Sequence, residues 1–385
     1  MHIGFDISQT GSAKAGCGYL AHALIQALQE LAPEHRYSLF PSFGSFYFDP
    51  RMPLLNPYSG RNSHYGPRHL SRETSSVFWS EINVETSLGM PDVVHANNFW
   101  CPTQMTSSRV IYTFYDMGFA VNPDWATETN RVGCFDGVFK SALVADWIVA
   151  ISESSRTHYL SIFPHFPKER IRVIHPCSRF TDSTETGKRP IALEDITSGE
   201  YWLNVGTIEP RKNQHRLAES YARYLALGGS PMPLVLAGGK GWLMDNFQRH
   251  LDALGITANV VMTGYVSDDE LIWLYRNCYA NLYPSLFEGF GLPVLEGMQY
   301  GAPTITSNNT SIPEAAGDAA ILLAPNDIEG WAQAMLRLTA DPVERNQLSV
   351  AAREQARRFD WKRSATSLLQ LYEEAIASPK RRIVK

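Results

Sequence analysis

Short apolar runs alternate with amphipathic helical patterns along this chain. In the first half, strand-like runs are predicted at residues 3–7, 92–95, 110–114, 147–151 and 171–174. Between residues 18 and 31, leucine and alanine recur at helical spacing, which predicts a helix with one apolar face. Buried strands that alternate with helices are typical of parallel, doubly wound sheets, so the pattern predicts an α/β fold.

The second half repeats this alternation after an interruption at residues 178–200, which carry Ser, Thr, Glu and Gly without periodicity. A new strand is predicted to begin near Tyr201. The pattern at Ser267–Glu270 is that of a capping box, and it predicts a helix that ends near Asn277. The interruption is therefore interpreted as a linker between two domains.

The length of the chain also favours two domains, because 385 residues exceed what one hydrophobic core usually holds. We predict an N-terminal Rossmann-like domain at residues 1–190 and a C-terminal one at residues 191–360. The last segment, residues 361–385, is predicted to open with a helix over 361–377.

The composition is that of a folded protein, with 44% hydrophobic and 19% charged residues. A net charge of −5 gives no reason to expect a nucleic-acid partner. Five scattered cysteines without a Cys-x-x-Cys pair, no long apolar run and a strand-like start predict a cytoplasmic protein without a signal peptide or membrane span. The basic end, residues 380–385, is interpreted as solvated or as weakly attracted to an anionic membrane surface.

The most informative segment, Ser285–Pro303, contains two glutamates eight positions apart. A short predicted strand before it ends at Pro284, and Pro293 stands where a first helical position is expected. Glu288 is therefore placed in a glycine-rich loop and Glu296 in the first turn of the following helix. Backbone N–H groups at a helix N-terminus bind anions, and carboxylates accept hydrogen bonds from hydroxyls. The segment is suited to a ligand with both groups, such as a sugar nucleotide.

This segment resembles the Glu-x7-Glu signature of the retaining glycosyltransferases of family 4. Four other segments resemble the same family in the same order, at residues 203–213, 234–239, 261–266 and 312–323. The resemblance is strong from about residue 200 to 360 and thinner over the first half. It implies the GT-B fold, in which two Rossmann-like, doubly wound α/β domains face a central cleft. It also implies a terminal helix that crosses back to the N-terminal domain.

The resemblance implies a donor site in the second domain. Arg211 and Lys212 would neutralise the departing diphosphate, because a guanidinium binds phosphate as a fork and an ammonium as a point charge. Glu288 would lie against the donor sugar, and Glu296 would accept hydrogen bonds from the ribose hydroxyls. The implied donor-binding residues are Gly206, Arg211, Lys212, Gly239, Tyr265, Glu288, Gly289, Phe290, Gly291, Leu292 and Glu296. The alternatives are an exposed Arg–Lys surface pair and a Glu296 that only complements the helix dipole.

The first domain is expected to present the acceptor. Gly16, Gly18 and Tyr19 resemble a family turn between the first strand and the first helix, although a plain helix entry matches equally well. Residues 43–79 are rich in aromatic residues and arginines, which could stack on sugar rings and meet a lipid-linked diphosphate. The alternative is a loop whose aromatic residues only pack.

Three further residues are assigned near the acceptor and the transferred sugar. His95 is predicted at a strand end, with a structural histidine as the alternative. The family commonly has His-Asp where this chain has Tyr115 and Asp116, so we expect the Tyr115 hydroxyl to contact the sugar. The predicted catalytic set is Glu288, Arg211, Lys212 and Asp116.

Within the family, the chain resembles bacterial mannosyltransferases of O-antigen and polysaccharide assembly. This implies transfer of a hexose, mannose or a related deoxysugar, from a nucleoside diphosphate sugar to a saccharide or lipid-linked glycan with retention of configuration. GDP-mannose is the first expected donor, then a GDP-deoxysugar, with a UDP sugar close behind. No cofactor or metal is expected, since the chain lacks an Asp-x-Asp motif; peripheral membrane association is left open. A non-catalytic nucleotide-sugar-binding paralogue and a sugar-nucleotide 2-epimerase remain alternatives.

Overall fold

The computed structural model describes residues 1–11, 14, 16–42, 62–67, 77–79, 81–180, 184–239, 241 and 246–381. Most of the predicted acceptor segment at 43–79, and residues 382–385 of the basic end, lie outside these residues. The chain divides into two compact units. Unit 1 comprises residues 1–179 together with the segment that begins at Asp360, and unit 2 comprises Phe180–Phe359.

The segment predicted as a linker belongs to unit 2 from Phe180 onward, so the division falls before Phe180 rather than after residue 190. Phe180 and Leu193 are buried in the same hydrophobic cluster as Tyr201. The backbone N–H of Lys188 also donates a hydrogen bond to the carbonyl oxygen of Asp269, at 2.9 Å. This segment lacks periodicity because it packs as an irregular chain against unit 2.

Unit 1 contains a sheet of seven strands in the order β3-β2-β1-β4-β5-β6-β7, and all neighbouring pairs are parallel. The strands are β1 His2–Asp6, β2 Arg36–Phe40, β3 Ser63–Tyr65, β4 Val93–Asn97, β5 Arg109–Phe114, β6 Trp147–Ala150 and β7 Ile171–Val173. Five of them were predicted within two residues. The patterns of β2 and β3 were missed, because β2 mixes polar and apolar residues and β3 is only three residues long.

Before residue 180, the helices whose bounds are described are α1 Gly16–Leu31, α2 Val84–Ser87, α3 Gly118–Val121, α4 Glu128–Val144 and α5 Glu153–Ile162. The apolar face predicted for α1 is buried at Leu20, Leu24 and Leu28. Ser152 caps α5, since its hydroxyl accepts a hydrogen bond from the Ser155 N–H at 2.9 Å.

Unit 2 contains a sheet of six strands in the order β10-β9-β8-β11-β12-β13, again with parallel pairs throughout. The strands are β8 Trp202–Val205, β9 Leu234–Ala237, β10 Val260–Gly264, β11 Ala280–Tyr283, β12 Thr304–Ser307 and β13 Ile321–Leu323. The helices are α6 Gln214–Ala226, α7 Phe247–Leu254, α8 Asp268–Asn277, α9 Leu292–Gln299, α10 Ile312–Ala316, α11 Ile328–Ala340 and α12 Pro342–Ala356. The capping box at Ser267 and Glu270 and the end of α8 at Asn277 are confirmed.

The last helix, α13 Trp361–Ala377, returns to unit 1 and packs against α1. Asp360 caps it by accepting hydrogen bonds from the N–H groups of Lys362 and Arg363. Its buried face includes Leu368, Leu371 and Tyr372. Unit 1 is therefore completed by residues from both ends of the chain.

The start of the basic end is held by unit 1 and is not simply solvated. The Lys380 ammonium donates hydrogen bonds to the carbonyl oxygens of Met105, at 2.6 Å, and Ser108, at 3.0 Å. The backbone N–H of Arg381 donates to the Asp146 carboxylate at 2.7 Å. The interpretation as a solvated tail is thus wrong for Lys380 and Arg381. In the described part of the chain, no helix is both long and apolar enough to cross a membrane.

In each sheet the strand order reverses at one point, between β1 and β4 in unit 1 and between β8 and β11 in unit 2. Ligands of open α/β sheets bind beyond the carboxyl ends of the strands at such a point, because the two following loops diverge there. In unit 2, the loops that diverge begin at Gly206 and at Pro284. These two loops carry Gly206, Arg211, Lys212 and Glu288 of the residues that the sequence assigned to the donor site.

Candidate functional site

The candidate site of unit 2 is built around the carboxylate of Glu288, which lies in the loop after β11 and is 8% exposed. Its Oε1 is 2.7 Å from the Lys212 ammonium, and its Oε2 is 3.0 Å from Nη1 of Arg211. The hydroxyls of Tyr283 and Ser285 donate hydrogen bonds to Oε1, at 2.9 and 2.6 Å. The structure therefore brings three of the four predicted catalytic residues together, Glu288, Arg211 and Lys212.

The surroundings of Glu288 hold it ionised. Burial alone disfavours the charged form, but the positive charges of Arg211 and Lys212 and the hydrogen bonds from Lys212 and Ser285 outweigh it. They lower the pKa of Glu288 from 4.5 to about 2. A carboxylate that stays charged at neutral pH can accept hydrogen bonds from sugar hydroxyls or stabilise a positive centre, but it cannot act as a general acid.

The loop after β8 is hydrogen-bonded to the loop after β11, which explains why Arg211 and Lys212 lie beside Glu288. Pro210–Lys212 forms one turn of 3-10 helix, and Asn213 after it adopts the left-handed conformation with φ of +62°. The Asn213 amide donates a hydrogen bond to the carbonyl oxygen of Pro284 at 3.1 Å. The carbonyl oxygen of Arg211 accepts one from the N–H of Leu286 at 2.8 Å. The exposed surface pair considered from sequence is thus wrong, since both side chains point into this junction.

Two glycines near the site are required by the backbone. Gly291, the residue before α9, has a φ of +106°, which side-chain-bearing residues rarely adopt. A Cβ at Gly238, just after β9, would lie 2.1 Å from the carbonyl oxygen of Gly206. The loops after β8 and β9 therefore touch through backbone atoms, close to the site.

Glu296 lies in the second turn of α9 and not in the first, because the helix begins at Leu292 with Pro293 as its second residue. Complementing the helix dipole is therefore not its role. The side chain is buried, and its Oε2 accepts a hydrogen bond from the Tyr275 hydroxyl at 3.2 Å. Tyr275 comes from α8, so Glu296 has a partner on a different element from those that hold Glu288.

The remaining predicted donor-binding residues differ in how far they are exposed to solvent. Tyr265, after β10, is 82% exposed and available to a ligand. The carbonyl oxygen of Gly239 accepts a hydrogen bond from the N–H of Ile208 at 3.1 Å. Phe290 is buried with its ring against Phe359, so any ligand contact it makes is through its backbone. Gly289 and Gly291 are also buried, whereas Leu292 is partly exposed.

In unit 1, Tyr115 and Asp116 follow β5, but both are engaged within the unit. The Tyr115 hydroxyl lies 3.3 Å from the carbonyl oxygen of Cys17 and 3.4 Å from Oδ1 of Asn97, and the residue is buried. Asp116 accepts a hydrogen bond from the Gly118 N–H at 2.8 Å, which starts α3. Asp116 is only partly buried, so its other oxygen remains the candidate for contact with a ligand.

His95 is a structural histidine, and its assignment to the acceptor side is wrong. β4 continues to Asn97, so His95 lies in the middle of the strand rather than at its end. The residue is fully buried, with its ring nitrogens 2.6 Å from the hydroxyls of Tyr372 and Thr113. Burial lowers the pKa of His95 to about 3, so the ring is neutral.

The Gly16–Tyr19 segment is the first turn of α1 and not a turn that precedes it. Gly16 is exposed, Gly18 is buried, and the Arg179 guanidinium lies over the Tyr19 ring at 4.3 Å. Of the two interpretations, the plain helix entry describes the backbone. The acceptor role of these residues stays a prediction.

Sequence reasoning missed several buried residues that support the site. Glu209 pairs with Arg211, with 2.8 Å between Oε1 and Nη2, and is 3% exposed. The Tyr283 hydroxyl accepts a hydrogen bond from Lys212 at 2.7 Å while donating to Glu288. The only signal for both is position, since Glu209 immediately precedes Pro-Arg-Lys and Tyr283 is the last residue of β11. Within the described ranges, no group of three His, Cys, Asp or Glu side chains could hold a metal ion.

Comparisons with known proteins identify the family of the chain. The family model for glycosyl transferases group 1 matches residues 193–355. D-inositol 3-phosphate glycosyltransferase of Saccharomonospora viridis is 37% identical over 332 residues, which cover 81% of this chain and 76% of that protein. O-antigen chain mannosyltransferase B of Escherichia coli is 29% identical over 284 residues, 73% of this chain and 74% of that protein. Serotype-specific mannosyltransferase WbdA of Escherichia coli is 32% identical over 98% of this chain, which spans about half of that protein, 49%.

Solved structures show the same fold at low sequence identity. Sucrose-phosphate synthase from Thermosynechococcus elongatus superimposes with a TM-score of 0.74 at 18% identity, covering 98% of this chain and 100% of that one. WaaG, a glycosyltransferase involved in lipopolysaccharide biosynthesis, gives a TM-score of 0.66 at 16% identity, covering 97% and 98%. The two Rossmann-like domains are therefore those of the GT-B fold, as predicted. With its family match and its relatives, this chain belongs to the group 1 glycosyltransferases, the family that its Glu-x7-Glu segment resembles.

Proposed function

We propose that the protein is a retaining glycosyltransferase that moves a hexose, most specifically mannose, from a nucleoside diphosphate sugar to a saccharide or lipid-linked glycan. The observation that carries the proposal is the group of Arg211, Lys212 and Glu288 at the strand reversal of unit 2. Transfer of a sugar from a diphosphate develops negative charge on the departing phosphate and positive charge on the sugar. The group supplies both cations and a carboxylate within one small volume.

In the proposed reaction, Arg211 and Lys212 bind the diphosphate and neutralise it as the bond to the sugar breaks. Glu288 then lies beside the sugar, where its ionised state suits a centre that becomes positive. Glu296 accepts hydrogen bonds from the ribose, and the exposed Tyr265 is proposed to contact the base. Asp116 and Tyr115 of unit 1, with Gly16, Gly18 and Tyr19, are proposed for the acceptor and the transferred sugar.

Mannose is proposed as the sugar because the O-antigen chain mannosyltransferase B and WbdA relatives are named as mannosyltransferases. Other relatives are named for other reactions, among them glycogen synthase of Mycobacterium tuberculosis, at 27% identity. GDP-mannose is therefore the first donor to test, and a UDP sugar is the comparison. A solved relative of the fold is described in complex with UDP and glucose.

No metal and no cofactor enter the proposed reaction, because Arg211 and Lys212 already supply positive charge where the diphosphate is released. The same proposal places the protein in the cytoplasm, with association at the inner face of the membrane where a lipid-linked acceptor would be met. All five cysteines lie in the described part of the chain, and none forms a disulfide.

The first experiment is a thermal-shift screen with GDP-mannose, a GDP-deoxysugar, UDP-glucose and ADP-glucose. A ligand at 100 times its Kd adds about 2.7 kcal/mol to the free energy of unfolding, so the true donor should give the largest shift. The selected donor is then incubated with and without a mannose-containing acceptor, and NMR of the product reports the anomeric configuration.

Release of nucleoside diphosphate with formation of an α-linked product from the α-linked donor supports the proposal. Binding without any turnover would favour a non-catalytic nucleotide-sugar-binding protein. Inversion of the anomeric centre would contradict the retaining mechanism while leaving the donor assignment intact.

A further inference from the structure

Glu209 is a buried carboxylate to which the proposed reaction gives no part. It precedes the turn Pro210–Lys212, and 3% of its surface is exposed. Its Oε1 accepts a hydrogen bond from Nη2 of Arg211 at 2.8 Å, and its backbone oxygen accepts one from the N–H of Lys212 at 3.0 Å. A glutamate is almost never this buried without a partner, and its partner here is the proposed phosphate-binding arginine.

The guanidinium of Arg211 is held from two sides. On one side, Nη2 meets Glu209; on the other, Nη1 meets the carbonyl oxygen of Phe287 at 2.7 Å and Oε2 of Glu288 at 3.0 Å. Because a guanidinium is planar, acceptors on both terminal nitrogens fix the plane in which it can bind a phosphate. Glu209 thus determines the orientation of the group and not only its charge balance.

The contacts of Arg211 differ in whether they persist when a donor binds. Glu288 is proposed to lie against the donor sugar, so its oxygens are shared between Arg211 and the ligand. Glu209 comes from the loop after β8, is almost fully buried and is given no contact with the donor, so we expect it to keep its contact with Arg211 when a donor binds. Glu209 is therefore the charged partner of Arg211 that the donor is not expected to share, beside the backbone carbonyl oxygen of Phe287.

We propose that Glu209 is a positioning residue that fixes the plane of the Arg211 guanidinium for the donor diphosphate. This inference rests on the proposed function, because it takes Arg211 as a phosphate-binding group. The charge of Glu209 would have the opposite effect on the affinity for GDP. The negative charge of Glu209 lies near the diphosphate site, so an effect through charge alone would make GDP bind more tightly once that charge is removed.

The test uses Glu209→Ala, which removes both the charge and the acceptor, and Glu209→Gln, which keeps an acceptor oxygen and the size of the side chain. Glu219→Ala is the matched control, since Glu219 pairs with Arg216 at 2.6 Å in α6 of the same unit, with 22% of its side chain exposed. The affinity for GDP is measured by calorimetry, and kcat and KM are measured with GDP-mannose. We expect Glu209→Ala to lower the GDP affinity and kcat at least tenfold, Glu209→Gln to lower both by less, and Glu219→Ala to change neither.

A double-mutant cycle with Arg211→Ala separates positioning from a general structural role. If Glu209 acts through Arg211, Glu209→Ala has no further effect on GDP affinity once Arg211 is absent. Equal losses in both backgrounds, wild-type behaviour of Glu209→Ala, or tighter GDP binding by Glu209→Gln would each overturn the inference while leaving the proposed function in place. If the wild-type protein neither binds GDP nor turns over GDP-mannose, the same variants are measured with the nucleoside diphosphate of the donor that the screen selects. Binding of no nucleoside diphosphate at all would overturn both the inference and the proposed function.

Discussion

Lys212→Ala should affect stability and catalysis to different extents, and the structure gives a magnitude for each. The Lys212 ammonium lies 2.7 Å from both Glu288 Oε1 and the Tyr283 hydroxyl, with 12% of its side chain exposed. Removing one partner of a buried pair costs about 3–5 kcal/mol when the other charge is left alone. Arg211 remains 3.0 Å from Glu288, so we expect a smaller loss, about 2–3 kcal/mol.

The catalytic loss should be at least as large, because the lysine is proposed to contact the leaving diphosphate. Losing one charge-assisted contact in the transition state costs about 2–4 kcal/mol, which is about 30- to 1,000-fold in kcat. The pKa of Glu288 should also rise in this variant. Burial raises that pKa, and of the two neighbouring cations only Arg211 would be left to lower it. In the wild-type protein this carboxylate stabilises the fold above pH 4.5, and the contribution is lost as the pH falls from 4.5 to about 2.

The assay pairs thermal unfolding with single-turnover transfer from GDP-mannose. In a domain of this size, about 2–3 kcal/mol corresponds to a Tm shift of about 4–12 °C. Lys140→Ala is the control, since Lys140 pairs with Asp136 at the same distance of 2.7 Å, but with 42% and 47% of the side chains exposed. Such surface pairs contribute about 0–1 kcal/mol.

The double variant Lys212→Ala/Glu288→Gln decides between the two effects. Replacing the Glu288 carboxylate, which lacks its lysine partner in this variant, by a neutral amide should restore most of the Tm. Sugar transfer should still be lost. Restored transfer in the double variant, or wild-type kinetics in Lys212→Ala alone, would refute the role given to Lys212.

Three further predictions follow from other parts of the molecule. Glu296→Ala should mainly raise the donor KM, because ribose is remote from the reacting bond; a fall in kcat at unchanged KM would reverse the roles of the two glutamates. Transfer should survive excess EDTA, and its loss with rescue by manganese would contradict the metal-free reaction. His95 is neutral in the fold and gains a proton in the unfolded chain below pH 6.5, so stability should fall by about 2 kcal/mol between pH 7 and 5. His95→Gln should flatten that slope, and parallel pH curves for the two proteins would exclude this histidine as its source.

The fold could be predicted from the sequence wherever strands are continuous apolar runs. β4, β5, β6 and β11 are buried on both faces and contain few polar residues, so their periodicity is unambiguous. β2 lies between Pro33 and Pro41, but its five residues mix polar with apolar side chains and so do not form a continuous apolar run. The irregular chain between Phe180 and Tyr201 was taken for a linker, because packing of non-periodic residues against a neighbouring sheet leaves no local pattern.

The candidate site could be predicted only in part. Arg211, Lys212 and Glu288 stand in motifs, and their residue types indicate their chemistry. Local sequence cannot show which side chains far apart in the chain contact each other. Lys212 and Tyr283 are an example, because they are brought together by the neighbouring strands β8 and β11. His95 was misplaced for the same reason, since its partner Tyr372 comes from a helix near the other end of the chain.

The return of α13 to unit 1 determines the order in which the two units can form as the chain is synthesised. Unit 2 is one continuous segment, so all its strands are available once Phe359 has been made. The sheet of unit 1 is made first, but α1 and His95 keep an uncovered face until α13 supplies Leu368 and Tyr372. The half of the protein that is synthesised first should thus reach its native state last, and loss of the residues after Asp360 should damage the N-terminal half while sparing the donor-binding unit.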